Sequence, residues 1–415
     1  MTEKSFKIYG YRWIVLAVFM GAIAANQLAW ITFAPITSVA ARYYGVSDLS
    51  IALLSMIFMI VYIVVSIPAS WTIDTYGFKV AVGIGAVLTG VFGLIRGLAA
   101  DNYTLVLISQ IGIAIGQPFI LNALTKVAAR WYPIQERATA SGLGSLAMYI
   151  GIVLGMMLTP YLVLRSSINN MLLVYGAAAL IAGALFLIFA REHPPTPASP
   201  PGLEERSLVF DGLKQMIRMR DFVLLMAIFF IGLGVFNSVT TWIEDILRPR
   251  GYSILQAGVV GGLMVIGGIL GAVVLPALSD RYRKRVPFII LALAAATLGL
   301  VGIAFVQSYS LLLLSAFVMG FFLLSAGPIG FQYGAEITYP APEGTSNGML
   351  LVMGQISGII FIFGMDAFKN PDTGSMTASL LVLAGLMVIG LLLSTRLTES
   401  TLLARESHGE GTAAE

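Results

Sequence analysis

Apolar runs of about twenty residues recur along this chain from end to end, and no other feature constrains its fold as tightly. They cover residues 12–40, 49–73, 79–99, 103–128, 138–164, 169–190, 221–246, 254–279, 287–306, 309–337, 344–367 and 375–396. Each is long enough to cross a ~30 Å hydrocarbon core as a helix. Charged residues are 11% of the 415 and hydrophobic ones 58%, too little charge to cover a soluble surface of this size. The runs are long, carry Gly and Pro inside them, and do not alternate apolar with polar residues, which excludes an outer-membrane barrel. The sequence predicts an all-α membrane protein of twelve transmembrane helices.

Composition removes several chemistries. There is no cysteine, so no disulfide or thiolate site is possible. The only histidines, His193 and His408, lie in a linker and a tail, away from any apolar run. No HExxH or paired intramembrane aspartates mark an enzyme. No cofactor or metal is expected. The pI near 9.0 does not point to nucleic acid, because the positive charges sit between apolar runs. Lys4, Lys7 and Arg12 before the first run resemble a signal-peptide leader. The apolar character continues through "ITFAPITSVAA", however, which favours a first membrane span.

An even number of spans places both termini on one side. Eighteen of the 24 Lys and Arg residues then fall on that side, and six (Arg42, Arg96, Arg165, Arg248, Arg250 and Lys369) on the other. The positive-inside rule puts the termini in the cytoplasm, here of a cell-membrane protein. Arg96, near the end of the third span, is expected to snorkel to the outer water.

The segment "REHPPTPASPPGLEERSLVFDGLKQMIRMR" divides the chain into six spans and six. Its Pro-rich start reads as a semi-rigid linker. Its second part places Leu208, Leu213, Met216 and Ile217 opposite Lys214, Arg218 and Arg220 at helical spacing, the pattern of a helix lying on the membrane face. The expected organisation is a first bundle over 1–190, a linker with an interfacial helix over 191–220, a second bundle over 221–397 and a tail over 398–415. Small residues serve packing within the chain, and a monomer is expected.

The halves repeat. "ARWYPIQERATASGL" (129–143) and "AEITYPAPEGTSNGM" (335–349) align at an offset of 207, with Tyr132-Pro133 on Tyr339-Pro340, Glu136 on Glu343 and Thr139 on Ser346. "SWTIDTYGFK" (70–79) and "PALSDRYRKR" (276–285) place Asp74 on Asp280 at an offset of 206. Two matches at nearly one offset indicate tandem duplication of a six-helix unit. Prolines stop the incoming helices. Glu136 and Glu343 then fall where the next helix begins, a position that favours an acid. Beyond helix capping, these charges suit a gate at the cytoplasmic side, with Arg130, Glu136 and Arg137 in one loop and Glu336 and Glu343 in its twin.

These residues carry a resemblance. Twelve spans, a six-plus-six repeat and Asp-containing loops after spans two and eight resemble the major facilitator superfamily. Its loop pattern is Gly-x-Leu-x-Asp-Arg-x-Gly-Arg-Lys. The first loop keeps Asp74, Gly77 and Lys79 but has Ser70 and Thr75 at the first Gly and the Arg. The second keeps Leu278, Asp280, Arg281, Lys284 and Arg285 but has Pro276 and Arg283 at the glycines. "AWITFAPITSVAARYYGVS", "ARWYPIQERATA" and "GFQYGAEITYPAPEGTSNGMLLVMGQISGIIF" are more closely similar to the feline leukemia virus subgroup C receptor-related family and its disrupted-in-renal-carcinoma relative. That resemblance implies alternating access around a site between two bundles, and links to choline, ethanolamine, haem and pyridoxine.

Candidate solute contacts follow. Asn26, Trp30 and Phe33 share a helical face, and Asn26 and Gln27 would be costly against lipid. The resemblance matches Trp30, Gln117 and Gln355 to cavity residues of the family. An indole face attracts a quaternary ammonium or an aromatic ring. Asn122 lies about a turn beyond Gln117. Where choline-transporting relatives place a tyrosine, this chain has Asn237, which suits a solute bearing hydroxyl or carbonyl groups and weakens the case for choline. Gln332 and Glu336 share a face of span ten, and Glu336 sits near its cytoplasmic end. No carboxylate is evident at mid-membrane, which favours a facilitator. The expected function is alternating-access transport of a small polar organic solute. The alternatives are a proton-coupled exporter of amphiphiles using Glu336 or Asp366, and a membrane receptor or sensor.

Overall fold

The computed structural model describes residues 8–196, 216–339 and 343–399. Twelve of its helical segments are long and apolar enough to cross a membrane. The chain divides into two units, Met1–Ser207 and Leu208–Glu415. The interfacial stretch expected between them lies almost wholly outside the described residues, as does most of the tail.

In the first unit the first span is broken. Helix α1 (Arg12–Ile31) stops where Pro35 can offer no N–H to the Ile31 carbonyl; a short 3-10 turn, Ala34–Ile36, leads into α2 (Thr37–Tyr44). Helices α3 (Asp48–Tyr76) and α4 (Phe78–Leu98) follow. The fourth span also breaks, into α5 (Tyr103–Leu121) and α6 (Leu124–Trp131), one turn past Pro118. Helices α7 (Ile134–Arg165) and α8 (Ile168–Phe189) complete the unit. Ser47, Asn102 and Ser167 cap the starts of α3, α5 and α8 by accepting a backbone N–H three residues on.

The second unit begins with α9 (Arg220–Thr241), which passes through Trp242 into the five-residue α10 (Ile243–Leu247). Helices α11 (Ile254–Tyr282), α12 (Val286–Phe305), α13 (Tyr309–Thr338), α14 (Glu343–Ala367) and α15 (Thr377–Ser394) follow. α11 and α13 approach closely because both carry glycine at the contact. A Cβ on Gly320 would collide with the Met264 carbonyl, and one on Gly271 with that of Phe321. Small residues let membrane helices pack backbone to backbone, where apolar burial gives little drive.

In each unit, chain start and chain end lie at one end of the bundle. Tyr11 donates to the Phe189 carbonyl at 2.7 Å in the first unit, and the Thr398 N–H to Asp221 Oδ2 at 3.4 Å in the second. We call this the terminal end, and the opposite one the far end.

Candidate functional site

Two of the asparagines expected to face a solute, Asn26 and Asn122, bond to neighbouring helices. Asn26 is fully buried and donates to Thr89 Oγ1 (3.0 Å) and the Ile113 carbonyl (3.3 Å), joining α1 to α4 and α5. Asn122 stands at the break of the fourth span. It accepts from Tyr62 (2.7 Å) and donates to Ser66 Oγ (3.0 Å) and Ser70 Oγ (3.1 Å), all on α3. Such bonds join helices in lipid, where an unpaired amide is costly.

Trp30 is 6% exposed, and its polar atoms are committed to one residue of α3. Its Nε1 donates to the Ser55 carbonyl at 3.1 Å, and its own carbonyl accepts from Ser55 Oγ at 3.3 Å. The indole therefore has ring surface to offer a ligand, not its N–H. Gln117, on α5, is buried and makes no hydrogen bond among the described residues. Gln27 is also buried, and its Nε2 has no partner.

In the second unit the structure brings Asn237 and Gln355 together. Asn237 Nδ2 donates to the carbonyl of Gly354 at 3.2 Å, tying α9 to α14 one residue before Gln355. This leaves Asn237 Oδ1 as an acceptor. Gln355 is half-buried and makes no hydrogen bond among the described residues. Gln332 lies elsewhere. It is exposed and donates to Glu336 Oε1 at 3.0 Å, near the terminal end.

The candidate gate residues cluster at the terminal ends. In the first unit Glu136, in the first turn of α7, pairs with Arg12 at 3.0 Å. Asp74 pairs with Lys126 at 3.6 Å. Arg137 donates to the carbonyls of Tyr132 (3.4 Å) and Ala129 (3.2 Å), capping the C-terminus of α6. In the second unit Arg285 is the hub. It donates to Glu336 Oε1 through Nε (3.2 Å) and Nη2 (3.0 Å), to Ser279 Oγ (3.1 Å) and to Asp280. Burial works against its charge, but the bonds to Asp280 and Glu336 outweigh this and hold the guanidinium above its ordinary pKa. Arg281 is exposed. Glu343 begins α14, and its side chain lies outside the described residues. Arg283 takes φ +52° in the loop position that the family pattern gives to glycine, a left-handed conformation costly for a side chain with a Cβ.

One carboxylate in each unit escaped the sequence reading. Glu192 accepts the backbone N–H groups of Phe78 (3.2 Å) and Lys79 (2.7 Å) at the start of α4, and lies 4.0 Å from Arg130. Glu399 accepts those of Arg285 (3.1 Å) and Val286 (3.0 Å) at the start of α12. Acceptor and donors alike are 207 residues apart, so the repeat offset is the signal that would have found them.

The far ends hold two further clusters. The expectation that Arg96 reaches outer water is wrong: it is 1% exposed. Its Nη1 donates to the Ala29 carbonyl (3.1 Å) and to Gln110 Oε1 (2.7 Å), and its guanidinium lies 5.8 Å from the Phe33 ring centroid. Inward hydrogen bonds outweigh the reach to the surface. In the second unit Glu244 and Asp245, buried at 2% and 0% exposure, follow the break at Trp242. Asp245 pairs with Arg248 (2.7 Å) and Lys369 (3.1 Å), and Glu244 with Arg248 (3.5 Å). Between α4 and α5, Tyr43 and then Asn169 (2.7 Å) donate to Asp101 and hold its carboxyl below the ordinary range.

Twelve membrane-length helices in two duplicated six-helix units define a polytopic transporter, and the chain belongs to the Major Facilitator Superfamily, whose family model matches residues 19–362. Solute carrier family 49 member A3 of Xenopus tropicalis is 33% identical over 384 residues, covering 88% of this chain and 80% of that one. The choline/ethanolamine transporter FLVCR2 of Homo sapiens is 27% identical, covering 86% and 71%. Among solved structures, a bacterial homolog of the human lysosomal transporter Spinster superposes with a TM-score of 0.73 at 16% identity, over 94% of this chain and 98% of that one. That likeness speaks for the fold.

Proposed function

We propose that the chain is a facilitator of a small amino alcohol, and that each unit offers it contacts: the Trp30 ring and the Gln117 amide in the first, the Asn237 and Gln355 amides in the second. The observation that carries this reading is the uncommitted amides. Asn122 spends both its polar atoms, and Asn26 its Nδ2, on neighbouring helices, whereas Gln117 and Gln355 make no hydrogen bond among the described residues. An amide left unpaired inside a membrane costs about 1–3 kcal/mol unless water or a polar solute meets it. Asn237 Oδ1 is an acceptor and so suits a hydroxyl or primary ammonium donor. The relatives named as choline/ethanolamine transporters put amines in range, and an acceptor favours ethanolamine over choline, whose ammonium has no N–H.

The transporter works as a cell-membrane monomer with both termini in the cytoplasm. The residues at the terminal ends, from Asp74 and Glu136 to Asp280 and Glu336, act in gating. Transport runs down the solute gradient, with Glu336 engaged through its Oε1 by Arg285. One observation favours proton coupling instead: Glu336 Oε2 is buried with no partner.

Uptake of labelled ethanolamine and choline into proteoliposomes tests the reading. Saturable ethanolamine uptake is expected, reduced at least roughly tenfold by Trp30→Ala and by Gln355→Ala, the loss of about 1.4 kcal/mol of binding. Asn237→Tyr is expected to shift preference toward choline. Uptake indifferent to both alanine variants sinks the site. Accumulation that follows an imposed pH gradient and disappears in Glu336→Gln establishes the coupled alternative.

A further inference from the structure

A helix that ends inside a membrane leaves its last carbonyls without axial partners. α1 ends in this way, and the donors that reach its last turn come from several places. Thr32 Oγ1 donates to the Leu28 carbonyl at 2.7 Å. Ser55 takes the Trp30 carbonyl. The Ala29 carbonyl receives two donors, Arg96 Nη1 at 3.1 Å from α4 and Gln110 Nε2 at 3.2 Å from α5. Gln110 also donates to the Leu54 carbonyl at 2.9 Å, and its Oε1 accepts from Arg96. A single layer of bonds thus joins α1, α3, α4 and α5 at the level of Trp30.

Arg96 is the unusual member. No carboxylate pairs with it among the described residues, although it is 1% exposed. A buried cation without a counter-ion is costly. What offsets that cost here is the negative end of the α1 dipole together with neutral acceptors. A packing role alone could be filled by leucine or methionine without the penalty. We propose that Arg96, with Gln110, is a positioning residue for Trp30: it grips the carbonyl of the preceding residue and so fixes the indole at the broken end of α1. Its importance to transport rests on the reading of Trp30 as a solute contact; the positioning itself does not.

The test uses the full chain in nanodiscs, labelled with 5-fluorotryptophan and followed by fluorine NMR. The five tryptophans give separate probes, and the line lost in Trp30→Phe is that of Trp30. Arg96→Met and Gln110→Leu are expected to shift or broaden that line while those of Trp13, Trp71, Trp131 and Trp242 stay in place. Arg96→Lys, which keeps the charge but loses the planar fork, is expected to fall between. A Trp30 line that stays put in a folded Arg96→Met protein overturns the proposal, as does an equal movement of all five lines, which marks general loosening. If Arg96→Met does not fold, Gln110→Leu decides on the same criteria. Titrating ethanolamine into the wild type is a separate arm. A Trp30 line that ignores the amine counts against the solute reading and leaves the positioning result untouched.

Discussion

α1 and α9 open the two halves of a duplicated chain, and both break near the far end, after 20 and 22 residues. Both breaks have a tryptophan whose indole N–H is spent on a neighbouring backbone, Trp30 on Ser55 and Trp242 on Ile362 at 3.1 Å. The charges brought to them have opposite signs. At α1 five residues, 32–36, separate the two α-helical segments, and cationic Arg96 answers the helix C-terminus at the Ala29 carbonyl. At α9 the helix resumes after one residue. Trp242 N–H bonds the Ser238 carbonyl, and the Trp242 carbonyl takes the Ile246 N–H. The exposed feature is the N-terminus of α10, and Glu244 and Asp245 stand in its first turn. The sign of the charge follows the polarity of the exposed helix end.

The largest effect is expected at the second break. Asp245→Asn leaves Arg248 and Lys369 without their shared carboxylate and is expected to cost about 3 kcal/mol, read as a lower melting temperature of the purified transporter. Recovery in Asp245→Asn/Lys369→Met sharpens the account; an unchanged melt breaks the claim that carboxylates hold this end. Next comes the first break, where Gln110→Leu removes a donor from Ala29 and an acceptor from Arg96, for about 2 kcal/mol. If Gln110→Leu melts like wild type, Ala29 needs only one donor. Thr32→Val is smaller, about 1 kcal/mol, through the bond to Leu28; faster amide exchange confined to residues 28–36 is the expected signature. The smallest effect concerns Asp101, outside both breaks. Its pKa is depressed in the folded chain, so its contribution is present above the ordinary value near 4 and is lost as pH falls through the folded value. Melting curves of wild type and Asp101→Asn are expected to differ at pH 6 and converge in acid. A difference that persists in acid assigns the effect to packing.

The spans were legible because a bilayer demands about twenty apolar residues each time, and that demand is local in sequence. The break at Pro35 carries its own signal. Arg96 was not legible, because an arginine at the end of an apolar run looks the same whether it turns outward or inward. Its partner Gln110 is on another helix, and the carbonyl it meets carries no sequence signature. Glu244 and Asp245 fell inside the expected seventh span, since nothing in "NSVTTWIEDIL" announces a one-residue interruption. At the solute site, residue type identified Asn26 and Asn122 as costly in lipid, but only geometry separates amides that bind helices from those left open, such as Gln117 and Gln355.

The pair Glu192 and Glu399 has a consequence for descent. Each lies just past the sixth span of its half and rests on the start of the third, and the contact recurs at the offset of the duplication. The simplest history places it in the ancestor, before the copying event. That six-helix ancestor already bound its trailing end to its own body, as a bundle must that has to hold together without a second half.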